Sequence, residues 1–155
     1  MKIGEALQER AAAHKALADV RERIAAYVVH DEDEAPAEDP VALLAEADAV
    51  ADRAADLVRR VNATNAATAF PGGGTLTDAL ARRDALTAKI STVDAALRQV
   101  VGGRDRAWRG GGLEVRRVVA VDVPALRTRL EALNAERRTL DAALQRLSWE
   151  VDLAE

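Results

Sequence analysis

The chain contains no cysteine. That excludes a disulfide framework, a thiolate zinc site and a cysteine nucleophile. Aromatic residues are scarce: two Trp, one Tyr and one Phe in 155 residues. Bulky rings therefore cannot fill an interior, and Leu, Val, Ile and Ala must do so. No run approaches the roughly 18 consecutive apolar residues of a membrane span. The opening Met1-Lys2-Ile3-Gly4-Glu5 lacks the apolar stretch of a signal peptide. Together these two absences make the cytoplasm the expected compartment. The length suits one domain, so a single helical domain over 1–155 is expected.

What is present is alanine, at 35 of the 155 residues, within an apolar fraction of 49%. Alanine buries little area, so such a core must bring backbones close together over long contacts. Charged residues make up 31% and are mostly interspersed. Ala, Leu, Glu and Arg at a helical period mark long helices or coiled coil.

The period predicts four helices, at about 3–30, 40–70, 76–101 and 122–151. The first carries a seam of Ile3, Ala6, Arg10, Ala13, Leu17, Val20, Ile24 and Tyr27, stepping by three and four. The second has one stripe of Leu43, Ala47, Val50, Ala54, Leu57 and Val61. Beside it runs a stripe of Leu44, Asp48, Ala51, Ala55, Val58, Asn62 and Asn65. Asp39 is placed to cap it, with Pro40 at its first position. Pro71 and three glycines break it. The third seam reads Leu76, Ala79, Arg83, Leu86, Ile90, Val93, Leu97 and Val100, with Gly102-Gly103 as the expected terminator. The fourth, capped by Asp122, reads Val123, Leu126, Leu130, Leu133, Arg137, Leu140, Leu144, Leu147 and Val151. The expected fold is mainly α, with four long helices in antiparallel coiled-coil or bundle packing.

Between the third and fourth helices the period changes. Leu113, Val115, Val119 and Val121 alternate about Gly110, Gly111 and Gly112, which predicts a small β-hairpin over about 105–121, with Trp108 on its first arm.

Three seams each carry one arginine: Arg10, Arg83 and Arg137. A charge on an apolar stripe needs a partner or a route to water. With Asn62 and Asn65 these arginines form a candidate polar layer or anion site; the alternative is that each arginine reaches solvent along its helix. The net charge of −4 argues against general nucleic-acid affinity. The charge is nonetheless uneven. Asp31, Glu32, Asp33, Glu34, Glu38 and Asp39 form an acidic stretch. Arg104, Arg106, Arg109, Arg116 and Arg117 form a basic one. Two solvated loops is the plain reading; the sharper one is complementary docking between subunits, or an anion site on the basic stretch.

No paired base and nucleophile stands out, so no catalytic residue is expected. His14 and His30 are too far apart to serve one helix site, and neither follows a Glu at the spacing of a di-iron bundle. The acidic stretch lacks the order of a calcium loop. No metal and no cofactor are expected.

Several stretches together resemble a bacterial family named septicolysin-like. They are Met1-Lys2-Ile3-Gly4-Glu5-Ala6-Leu7, Ala37-Glu38-Asp39-Pro40, Val61-Asn62-Ala63-Thr64-Asn65-Ala66-Ala67-Thr68, Gly74-Thr75-Leu76-Thr77-Asp78-Ala79-Leu80-Ala81-Arg82-Arg83-Asp84 and Val121-Asp122-Val123. The resemblance implies a mostly helical fold, and its name alone suggests a membrane-active protein. The residues themselves favour a non-enzymatic structural or interaction protein. It is expected to form a homo-oligomer, a dimer being favoured. A nucleic-acid or anion-binding helical module is the remaining alternative.

Overall fold

The structure, a computed structural model, describes residues 1–108 and 118–155, with side chains described through residue 100 and again from residue 118. The protein is mainly α. Among the described residues four helices follow in order: α1 Ile3–Tyr27, α2 Pro40–Ala67, α3 Leu76–Trp108 and α4 Val123–Glu150. Among the described residues there is no strand. Two isolated antiparallel bridges occur, Lys2 with Asp152 and Ala69 with Thr75.

The capping chemistry acts as its residue types dictate. Asp39 Oδ1 accepts from the Val41 N–H at 2.9 Å, with Pro40 opening α2. Asp122 Oδ1 accepts from the Ala125 N–H at 3.0 Å before α4. At the start of α1, Glu5 reaches back to the Lys2 N–H at 2.7 Å. Each bond satisfies a donor that the first helical turn leaves without a partner.

The contacts group into two compact units, residues 1–77 with 145–155, and residues 78–144. In the first, α1 packs along α2. The two run antiparallel, since Arg23 late in α1 reaches Glu46 early in α2, while Glu9 early in α1 meets Arg53 further along α2. The buried apolar side chains of the two helices lie on the expected stripes, Ile3, Ala6, Ala13 and Val20 from α1 and Leu43, Ala54, Leu57 and Val61 from α2, and Gly4 and Thr64 are buried beside them. Alanine alternates with larger side chains along both stripes, which keeps the two backbones close. In the second unit, Ala79, Leu86 and Val93 of α3 and Leu140 of α4 are buried. Arg82 joins α3 to Glu136 of α4 at 2.6 Å.

Helix ends differ from expectation. α1 and α2 stop three residues early. A tight connection takes over after α2: the Leu76 N–H donates to Thr68 O, Phe70 N–H to Gly74 O, and Gly73 N–H to Phe70 O. Gly73 and Gly74 have φ of 94° and 75°, a region that glycine enters without steric cost. α3 continues past Gly102-Gly103 to Trp108. Glycine disfavours a helix interior by about 1 kcal/mol without forbidding it, so the pair is no terminator here.

This extension corrects the hairpin expectation where it can be followed. The expected first arm begins near 105, whereas residues 105–108, with Trp108, are helical, and residues 118–121 are neither helix nor strand. The remainder, 109–117 with its glycine turn, lies outside the described residues.

Candidate functional site

The most elaborate polar arrangement among the described residues lies where residues 151–154 leave α4 and cross the ends of α1 and α2. Ile3 N–H donates to Val151 O at 3.1 Å, and Leu153 N–H donates to Met1 O at 2.8 Å. Ala154 is held from both sides by α2. Its N–H donates to Thr64 Oγ1 at 2.9 Å, and its carbonyl accepts from Arg60 Nε at 2.9 Å. Thr64 is 4% exposed, a buried polar side chain inside α2. Its hydroxyl is fully used, donating to Arg60 O at 2.8 Å while accepting from Ala154.

Side chains complete the clasp. Leu153 joins Ala6, Leu57 and Val61 in one buried cluster, with Leu7 packed alongside. Burying a leucine of this kind contributes about 2 kcal/mol. Lys2 Nζ pairs with Asp152 at 2.8 Å and donates to Glu150 O at 2.9 Å. The hydrogen bond from Lys2, and then its charge, hold the Asp152 carboxyl below the usual carboxylate range. Gly4 faces the Trp149 indole. A Cβ there would lie 2.9 Å from ring carbon Cδ2, so only glycine admits the ring.

A second arrangement fastens the acidic stretch. Arg23 of α1 donates from Nε to Glu38 Oε2 at 2.9 Å, and its Nη2 meets the other carboxylate oxygen, giving a two-pronged pair. The same guanidinium reaches Glu46 at a longer 3.4 Å. The hydrogen bonds from Arg23 hold the Glu38 carboxyl below its ordinary range. Glu38 and Asp39 are thus structural, whereas Asp31, Glu32, Asp33 and Glu34 are exposed.

The seam arginines are placed as follows. Arg10 is half-buried on α1, while on α2 Asn62 is exposed and Asn65 half-buried. Arg83 turns to its neighbour Asp84 at 3.1 Å, and Arg137 to Asp141 one turn along α4 at 3.6 Å. Among the described residues no hydrogen bond joins any two of these five. Of the basic stretch, Arg104 and Arg106 fall on the α3 backbone, and Arg109, Arg116 and Arg117 lie outside the described residues. Among the described residues no group of three or more His, Asp or Glu is arranged to hold a metal ion. No helix there is long and apolar enough to cross a membrane.

The sequence pattern points to Asn62 and Asn65 and misses Thr64 between them. A signal for Thr64 exists. Continuing the stripe Ala54, Leu57, Val61 by one step of three lands on it.

Comparison with the curated proteins finds no match. Among solved structures the chain is similar to a functionally unknown conserved protein from Corynebacterium diphtheriae, at 32% identity over 99% of both chains and a TM-score of 0.90. A family model described as a family of unknown function (DUF6847) matches residues 10–153. Neither finding carries a septicolysin description, so that resemblance is corrected, and the membrane-active expectation, which rested on its name, goes with it. The stretches that suggested it are helix starts and packing turns: 74–84 opens α3, and 1–7 forms the clasp with 149–154. Such patterns serve any close-packed helical protein. With the family model matching nearly the whole chain, the protein belongs to the DUF6847 family, a family of unknown function.

Proposed function

We propose that this is a non-enzymatic interaction protein that self-associates, as a dimer, through its helical seams. One observation supports the reading best. Along the α4 seam only Leu140 is buried, while Val123, Leu126, Leu130, Leu133, Leu144, Leu147 and Val151 are all half-buried. A stripe this long and regular, covered on one side, suits knobs-into-holes packing with a further helix, and a second copy supplies one without any new sequence. The α3 seam has the same character at Ile90, Leu97 and Val100.

Sedimentation velocity between micromolar and hundred-micromolar chain is the test. A species of twice the 16.6 kDa chain mass is expected. Leu133→Glu should convert it to monomer with helical content retained. A wild-type monomer across that range overturns the proposal.

A further inference from the structure

Residues 151–154 contact the rest of the chain as a bound peptide contacts a groove. Within this short segment the main chain bonds at Val151 O from Ile3, at Leu153 N–H to Met1 O, and at Ala154 through both its N–H and its carbonyl to Thr64 and Arg60. Side chains alternate, as in a strand. Leu153 points into the cluster of Ala6, Leu57 and Val61, while Asp152 points out to Lys2. Main-chain bonds of this kind give affinity without regard to sequence, and alternate side chains give the selectivity. Here the selective features are an apolar socket for one leucine, a lysine for the acid before it, and a buried hydroxyl reading the amide after it.

We propose that the start of α1 with Leu57, Arg60, Val61 and Thr64 of α2 forms a binding groove for an extended peptide bearing an acidic residue followed by leucine, and that the chain's own residues 151–154 occupy it as a displaceable resident. Leu153 is the buried side chain of the segment; Asp152 and Ala154 are exposed. Ala13, Val20, Leu43 and Ala54, buried elsewhere along α1 and α2, lie outside the cluster that holds Leu153. Attachment to α4 gives the resident an effective concentration on the order of millimolar, so a free peptide competes once the resident is weakened. The groove's residues lie on α1 and α2, whereas the proposed self-association uses the α4 seam, which shares only Val151 with the resident segment and is tested at Leu133.

The probe is a fluorescein-labelled peptide of sequence Trp-Glu-Val-Asp-Leu-Ala-Glu, followed by anisotropy against the full chain carrying Leu153→Asp. Binding at least about tenfold tighter than to wild type is expected. Replacing the peptide's leucine by aspartate, or adding Thr64→Val to the chain, should lose about tenfold or more of it. A folded Leu153→Asp chain that ignores the peptide up to millimolar concentration overturns the proposal. Should that variant not fold, hydrogen exchange on the wild type decides. Leu153 and Ala154 amides exchanging at least about a hundredfold faster than those of Leu57 and Val61 support a displaceable segment. Exchange of all four only through global unfolding overturns it.

Discussion

Gly4 and Thr64 show how much single positions decide here. At Gly4 the missing Cβ is the point, because Trp149 ring carbons lie as near as 2.9 Å to where it would stand. Gly4→Ala is expected to destabilise by about 1–3 kcal/mol, since the ring must leave its place or the backbone must shift. The gain in helix propensity from alanine, about 1 kcal/mol, offsets part of this. In a Trp149→Ala background the same change should be neutral or stabilising. Urea denaturation of wild type, both single variants and the double variant measures the coupling. At Thr64 the case is polar: a hydroxyl within α2 replaces water for the Ala154 amide. Neither role announces itself locally. A glycine in the first turn of a helix and a threonine among asparagines are both ordinary, and their partners, Trp149 and Ala154, stand far off in the chain.

At the scale of elements, the helices were legible because burial follows period. Every residue named on the α1 and α3 seams is buried or half-buried. Asp39 and Asp122 were legible as caps because the cap is a local bond. What failed was local punctuation overridden by context: the Gly102-Gly103 pair inside α3, and the last three residues assigned to α1 and α2. Residues 151–154 were invisible for another reason. The α4 heptad runs on through Val151, so nothing in the pattern separates the helix end from the segment that follows. The acidic stretch is likewise uniform in sequence and divided in structure. Glu38 is gripped by the Arg23 guanidinium of α1, while residues 31–34 remain exposed. Since Glu38 is held below its unfolded value, its contribution is present above about pH 4.3 and is lost as pH falls through its lower folded value. Glu38→Gln should therefore flatten the acid limb of stability against pH. A carboxyl titration by NMR should show Glu38 among the last glutamates to protonate as pH falls, and an ordinary midpoint would contradict the grip.

For the whole molecule, the alanine content has a double consequence. It permits close helix pairs, and it leaves each pair with little apolar area of its own. If a second copy supplies the rest, folding and association are linked. The melting temperature should then rise by several degrees over about a hundredfold rise in concentration, the behaviour expected of a coupled dimer. A concentration-independent melt would place the chain among monomers that tolerate a half-open seam. The similar solved structure from Corynebacterium diphtheriae supports the mainly helical architecture over nearly the full length of the chain. The seam arginines were legible as exceptions, but not where they would turn. Arg83 and Arg137 each found an acid on their own helix, a choice that heptad position does not specify.

The clasp between Met1, Ile3 and residues 151–153 also bears on the order of folding. It closes a loop of roughly 150 residues, and the entropy of such a closure must be met before its few bonds form. Helices and the α1–α2 pair, whose contacts are nearer in sequence, precede it. The clasp is therefore expected to form on the late side of the folding barrier, and Leu153→Ala should leave the measured folding rate nearly unchanged. Its bonds then hold residues 151–154 in place in the finished molecule more than they set how quickly that molecule is made.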